Sequence, residues 1–214
     1  MVNYKDFEQG GLEWLEMKWG KIGGTLAKGL FVKTDTLFLD ILSQKLEEFE
    51  PNDGYESGDM IRGKEFEPFA VEYLEKYSGL KFTKPGWLQS EKNKLIGISP
   101  DGITEDETIC CETKCYARKK HTSILLHNDI PLDDIHQCLH YFTTNNKLKK
   151  LYYCSFRPES VKNFVKELTL ESKINIGTKS KPKILTIEAA RDYSLEFAKE
   201  LEIKIDKTIE ELKF

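Results

Sequence analysis

From Asp35 to Phe49 the apolar residues Leu37, Phe38, Ile41, Leu42, Leu46 and Phe49 recur every three or four positions. That is the period of one face of a helix, and Asp35 stands where an N-cap is expected. Before it, "LEWLEMKW" predicts a short helix closed by the flexible "GKIGGT". After it, "PNDGYESGD" reads as a loop. "MIRGKEFEPFAVEYLEKYSG" then predicts a longer helix stopped by Gly79 and kinked at Pro68, which removes a backbone hydrogen bond. From Lys81 the period changes. Turn signals at Pro85-Gly86 and Lys92-Asn93 divide "KFTKPGWLQSEKNKLIGIS" into strands of a meander. "TICCETKCYA" is the most strand-like segment of the chain, set off from the preceding strand by the turn "DGITEDE". "LDDIHQCLHYFTTN" returns to helical spacing with Asp133 or Asp134 as the cap. "KLYYCSF" and "VKNFVKELTL" alternate as strands, and a long amphipathic helix runs from Thr186 to the end. Helices, then a mixed sheet, then a helix crossing between strands make an α/β (α+β) fold, a mixed β-sheet flanked by helices. The chain reads as one domain over 1–214, with N-terminal helices in 1–80, a sheet core in 81–170 and a C-terminal helix in 186–214.

Composition changes this picture little. At 214 residues, 39% hydrophobic and 11% aromatic, the chain has material for a core. No apolar run approaches the ~18 residues needed to cross a bilayer, and "MVNYKDFEQGG" lacks a signal-peptide pattern, so the expectation is a cytoplasmic protein without a membrane partner. The five cysteines are an odd number without a secretion signal, which argues for reduced thiols. Small buried residues is their first reading; an iron–sulfur cluster on Cys110, Cys115, Cys138 and Cys154 is the alternative. The net charge of −4 hides an uneven distribution, because Lys147 to Lys183 contains ten Lys or Arg against three Glu. Such a run is most often a solvated face, but local field rather than net charge steers a polyanion.

The chemistry concentrates in "LIGISPDGITEDETICCETKCYARKKH", where Pro100-Asp101 and Glu112-Thr113-Lys114 interrupt apolar, strand-like sequence. Charged groups are rarely buried unpartnered. In a strand, Glu112 and Lys114 share one face while Cys111, Thr113 and Cys115 take the other. If the two strands form a hairpin, Asp101 and Glu112 converge, and paired carboxylates with open positions suit Mg2+. The bland alternative is a hairpin whose charges face solvent. His136 and His140 have zinc-ligand spacing, but HQCLH lacks the Glu of HExxH, so a partly buried polar pair is the better reading. Trp14, Trp19 and Trp87 read as core before they read as base-stacking platforms. Arg118, Lys119 and Lys120 follow the Glu-x-Lys strand directly and read equally as phosphate contacts or as surface charge.

Pro-Asp…Glu-x-Lys resembles the PD-(D/E)xK nuclease superfamily, and three flanking matches narrow the resemblance. "RGKEFEPFAVEYLEKYSG" resembles the G-K-x-x-E helix of lambda-type exonucleases, the YqaJ viral-recombinase family. "EWLEMKWGKIGGT" resembles that family's opening W-x-x-x-R-x-G-x-I-[ST]-x-S. "DDIHQCLHYF" and "YYCSFRPE" resemble its Gln-containing helix and the strand that follows it. The likeness covers about residues 13 to 159. It implies a restriction-endonuclease-like core in which Asp101 and Glu112 bind Mg2+ (Mn2+ as a substitute), and Glu67 is a further ligand in preference to Glu65. Lys114 would be the catalytic lysine, and Gln137 would fix the scissile phosphate or the attacking water. Lys18, Thr25 and Ser99 match the family's 5′-phosphate pocket, with Lys18 where the family has Arg; Arg118 and Lys119 would add DNA contacts. The implied activity is a 5′→3′ exonuclease on double-stranded DNA ends in phage-type recombination, in a bacterial or phage-infected cell. The implied assembly is a ring of three subunits, with the terminal helix and the basic 147–183 region supplying contacts and channel lining, and a single-strand annealing protein as partner. A restriction- or repair-type endonuclease, and an inactive DNA-end-binding module, remain the alternatives.

Overall fold

The computed structural model describes residues 2–5, 7–32, 35–51, 57–177 and 180–213; most of the loop read over 51–59 lies outside these. The chain opens with a strand that the sequence pattern did not announce, β1 (Val2–Lys5), followed by α1 (Leu12–Lys18), α2 (Lys28–Val32), α3 (Asp35–Leu46) and α4 (Gly58–Ser78). Asp35 is the first residue of α3 rather than its cap. In α4 Ser57 caps the start by accepting from Met60 N, Pro68 lies inside the helix, and Gly79 closes it with φ 73°. A left-handed residue at that position favours glycine, because a Cβ there meets the following carbonyl.

The sheets are smaller than a continuous meander. Strand β1 pairs with β2 (Trp87–Ser90), and β2 with β3 (Gly97–Ile98), in one antiparallel three-stranded sheet. The Lys81–Thr83 stretch contributes only an isolated bridge from Thr83 to Ile103. The second sheet runs β4 (Gly102–Ile103), β5 (Ile109–Lys114), β6 (Lys150–Ser155), β7 (Phe164–Thr169), with β5 parallel to β6 and the other pairs antiparallel. Parallel neighbours need a crossover. It consists of α5 (Arg118–His127), which the sequence pattern missed, and α6 (Leu132–Thr144). A short hairpin, β8 (Lys173–Asn175) with β9 (Ile184–Thr186), leads into α7 (Ile187–Leu212).

The four-stranded sheet separates two apolar layers. Ala70 and Leu74 of α4 pack with Cys111, Cys115, Tyr152, Cys154 and Phe156 on one face. Cys138, Leu139 and Phe142 of α6 pack with Cys110, Leu151 and Tyr153 on the other, continuous with α2, α3 and α7. All five cysteines are buried free thiols. The four considered for a cluster are divided between the two faces, so they cannot converge on one group. The buried face of α7 (Ala190, Ser194, Ala198, Leu201 and Ile205) is used inside the chain, with Ser194 and Thr143 hydroxyls 2.7 Å apart. Only its opposite face is left for a subunit contact.

Neither Asp133 nor Asp134 caps α6, whose N-cap is Pro131. Asp133 pairs with Lys28 of α2 at 2.9 Å. Asp134 is buried and accepts hydrogen bonds from the hydroxyls of Tyr116 (2.7 Å) and Tyr153 (2.6 Å), which clamps the start of α6 to the end of β5 and to β6.

His136 and His140 are both buried. His140 Nε2 donates to the carbonyls of Ile22 and Gly97, each at 3.0 Å, and so ties the Gly-rich segment to β3. Burial pulls its pKa from 6.5 down to about 4. As pH falls the unfolded chain takes up that proton first. The stabilisation from His140 is therefore intact above about pH 6.5 and lost between there and pH 4, a change of about 3 kcal/mol. Denaturant unfolding across that range is expected to show a steeper decline in wild type than in His140→Gln; equal slopes would contradict this role.

Candidate active site

The register of the β4–β5 hairpin builds the site. Gly102 lies opposite Cys111 and Ile103 opposite Cys110, so one further step places Asp101 opposite Glu112. Asp101 then turns across the strand, and its Oδ2 accepts from both the backbone N (2.6 Å) and the hydroxyl (2.7 Å) of Thr113. Glu112 projects toward α6. Asp101 and Glu112 thus stand at one rung of the hairpin, and Thr113, which sequence alternation assigns only to the buried face, is what holds Asp101.

On the α6 side, four residues form a closed ring of hydrogen bonds. Lys114 Nζ donates to Glu112 Oε1 and, at 3.0 Å, to Gln137 Oε1; Gln137 Nε2 donates to the Tyr141 hydroxyl at 3.2 Å; and that hydroxyl donates to Glu112 Oε2. Gln137 and Tyr141 are four residues apart on α6, which puts them on one face. That spacing was the available sign of Tyr141, which sequence reasoning passed over. Glu112 is 1% exposed. Its carboxyl is pushed up to about 7 by burial and by Asp101, with Lys114 and Tyr141 pulling the other way. Burial alone would lower the pKa of Lys114, but the carboxylates of Glu112 and Asp101 outweigh it and hold the ammonium protonated above the ordinary lysine range.

Glu67 reaches the site from α4. It is half-buried, its pKa is raised by burial and by Asp101, and Lys84 binds its Oε1. Glu65 is exposed. Among the described residues no three His, Cys, Asp or Glu side chains already converge on a ligand geometry; the carboxylates are each tied to a neighbour. The donor set nevertheless fits a hard divalent cation: burial and the charge of Asp101 raise the pKa of both Glu112 and Glu67, and oxygen ligands suit Mg2+ or Mn2+.

Next to the ring lies the Gly-rich segment. A Cβ on Gly24 would come 2.9 Å from Gln137 Cγ, so the backbone of "GKIGGT" packs directly on the Gln137 side chain. Ser99 Oγ accepts from Trp14 Nε1 at 2.8 Å and donates to the Gly86 carbonyl at 2.7 Å. Lys18 Nζ sits 3.6 Å over the Trp14 ring, and burial brings its pKa down to about 8. Lys18 and Ser99 are therefore gathered around Trp14. Thr25 is exposed and faces a separate shallow groove with Lys28 and Asp40. Gln9, another residue without a sequence signal, donates to the carbonyls of Pro85 (2.7 Å) and Pro100 (3.1 Å) and steadies the turn that carries Asp101. Arg118 and Lys119 are exposed in the first turn of α5.

Tyr141→Phe removes only the hydroxyl that holds Glu112. A hydrogen bond to a charged, buried group is worth about 1.5–3 kcal/mol, so turnover is expected to fall about 10- to 100-fold with the fold intact. Cleavage rates and thermal unfolding measured side by side check this, and an unchanged rate would remove Tyr141 from the site.

An Asp at a hairpin edge, a Glu-x-Lys strand beside it, and a Glu and a Gln brought in by flanking helices define the PD-(D/E)xK class of fold. Within that class, the chain belongs to the YqaJ-like viral recombinase domain family, whose model matches residues 13–147. The alkaline exonuclease LHK-Exo from Laribacter hongkongensis has a similar solved structure, with TM-score 0.73 and 18% identity over 95% of this chain and 98% of that one. A second structure of that enzyme, in complex with dAMP, aligns with TM-score 0.72 at 18% identity over the same shares of the two chains. A comparison with curated proteins gives no match. Among the described residues no helix is long and apolar enough to cross a membrane.

Proposed function

We propose that the protein is a divalent-metal-dependent DNA exonuclease that acts 5′→3′ on double-stranded ends in phage-type recombination. The observation that carries this reading is the placement of Asp101 opposite Glu112, with Lys114, Gln137 and Tyr141 closing a ring on Glu112 and Glu67 approaching from α4. Family membership supports it, as do the solved structures of this fold that are described as an alkaline exonuclease and as its complex with dAMP.

Asp101 and Glu112, with Glu67, would hold a divalent cation (Mg2+, or Mn2+ in its place), which would supply Lewis acidity at the phosphoryl group and lower the pKa of an attacking water. Lys114 presents its ammonium where charge develops on phosphate oxygens, which stabilises the transition state more than the ground state. Gln137, held by Lys114 and by the packing of Gly24, positions the phosphate or the water. Thr113 keeps Asp101, and Tyr141 keeps Glu112, in a fixed orientation. The same reading includes a closed ring of three subunits and a single-strand annealing protein as partner.

Digestion of linear and circular duplex in Mg2+, Mn2+ and EDTA tests it. Linear DNA is expected to disappear with metal, circles to survive, and EDTA to stop the reaction. Cut circles would mean an endonuclease, and no cleavage with any metal an end-binding module. Lys18 and Ser99, gathered by Trp14, are assigned to the 5′-terminal phosphate, whose extra charge a fixed cation can select. A 5′-phosphorylated duplex is then degraded faster than a 5′-hydroxyl one, and Lys18→Ala erases the difference. Equal wild-type rates on both ends would rule the pocket out.

A further inference from the structure

One turn before Gln137, the start of α6 forms a wall of a second cleft, of about 880 Å3, bounded by α2, α5, β7 and the β8–β9 hairpin. Four lysines from four different elements surround it: Lys28 of α2, Lys120 of α5, Lys166 of β7 and Lys173 of β8. We propose that this cleft binds a single strand of nucleic acid continuing away from the cleavage site, held by its phosphates. The identity of the polyanion rests on the nuclease reading; the charge and shape of the cleft do not.

The volume lies within the ~300–1,000 Å3 of ordinary ligand pockets, so it admits a short stretch of one strand but not a duplex. Two acidic residues line it as well, and both are engaged in exposed ion pairs: Lys28 with Asp133 at 2.9 Å, Lys166 with Asp129 at 2.6 Å. Exposed pairs of this kind contribute little to stability, so phosphate oxygens can take the place of the aspartates at small cost. Lys173 is exposed and makes no ion pair among the described residues, and Lys120 lies 3.6 Å over the Tyr116 ring. At the back of the cleft, buried His136 is fixed by its Nε2, which is bound to the Ile176 carbonyl at 3.2 Å.

The elements that wall the cleft also carry or adjoin active-site residues along the chain. Lys120 shares the first turn of α5 with Arg118 and Lys119, immediately beyond the β5 strand that carries Lys114. Lys28 follows four residues after Gly24, which packs on Gln137. Lys114, Arg118, Lys119 and Lys120 thus follow one another along the chain, and the last of them lines the cleft. Among the described residues that line it there is no Phe, Tyr or Trp, and the rest of the wall is largely aliphatic. Binding by phosphates without stacking is insensitive to base sequence and sensitive to salt.

The test is fluorescence anisotropy of a labelled oligothymidylate with the full chain in EDTA, so that no cleavage intervenes, at several salt concentrations. Lys120→Ala/Lys173→Ala is expected to weaken binding about tenfold or more and to lower the salt slope by about 1.4, since each single-strand phosphate contact contributes ~0.7. Asp129→Asn, which frees Lys166, is expected to tighten binding, an effect that misfolding cannot imitate. Acetylation footprinting of the wild-type protein should show Lys120 and Lys173 protected by the oligonucleotide. Wild-type affinity and slope in both variants, or lysines that stay reactive, would overturn the proposal. Equal competition by inorganic phosphate at matched ionic strength would mark a small-anion site and overturn it as well. Because nothing turns over in EDTA, these outcomes are separate from a failure of the nuclease reading, which shows as intact linear DNA with every metal.

Discussion

Lys114→Ala is expected to lower cleavage a hundredfold or more while the chain remains folded. Lys114 and Tyr141 each touch both Glu112 and Gln137 in the hydrogen-bonded ring, and Lys114 is the one that carries positive charge. Its removal takes away the donor proposed to meet the reacting phosphate and frees Gln137 Oε1, and positioned groups of this kind are typically worth ~10²–10⁴ in rate. It also leaves Glu112, buried with Tyr141 as its remaining partner, more reluctant to ionise. Asp101→Ala and Glu112→Ala belong to the same class, because each removes a proposed cation ligand. Single-turnover cleavage together with thermal unfolding separates a lost function from a lost fold. A folded Lys114→Ala protein that cleaves at nearly the wild-type rate would refute the assigned role.

Among the described glycines, Gly97→Ala is expected to be the most damaging addition of a methyl group. A Cβ at this position would lie 2.0 Å from Cζ2 and 2.3 Å from Cε2 of Trp87, a ring that is 1% exposed and donates from Nε1 to Gln89. Overpacking a core usually costs about 1–3 kcal/mol, and here the neighbour is a rigid aromatic ring rather than a flexible chain, so a loss of at least ~3 kcal/mol is expected. The displacement would also reach the site. Gly97 N donates to the Ile22 carbonyl at 3.2 Å, and its own carbonyl accepts from His140. Urea unfolding should show the loss, and Trp87→Phe should restore part of it in the double variant, since contacting residues couple. Independent, additive effects of the two changes would show that the clash is relieved elsewhere.

The elements with long, regular periods were legible from sequence alone: α3, α4, α6, α7, and the strands β5, β6 and β7. The approach of Asp101 to Glu112 was expected on condition of a hairpin, but the run before Asp101 pairs with β2 instead, and the rungs beside β5 come from Gly102–Ile103, which the sequence pattern reads as turn. Several elements escaped, the short α2 and β4 among them. Strand β1 is four residues at the terminus whose partner lies over eighty residues away. Helix α5 begins in a run of Arg and Lys without an apolar stripe, and hairpin β8–β9 is three residues on each side. Short elements of this sort draw their stability from contacts made by the rest of the chain, which no local window contains.

Residue chemistry followed the same division. Local spacing determined that Glu112 and Lys114 share a face, that Glu67 and Gln137 lie on helices, and that Gly79 ends one of them. Each of these follows from the backbone period or from a single residue's steric freedom. Only the tertiary structure decided that Thr113 holds Asp101, that Tyr141 completes the ring on Glu112, that Asp133 and Asp134 serve Lys28 and two tyrosines instead of a helix cap, and that Thr25 lines a groove with Lys28 and Asp40. These are contacts between segments far apart in sequence. Which of several chemically competent partners a side chain meets is set by how the sheet and helices pack, not by its own neighbours along the chain.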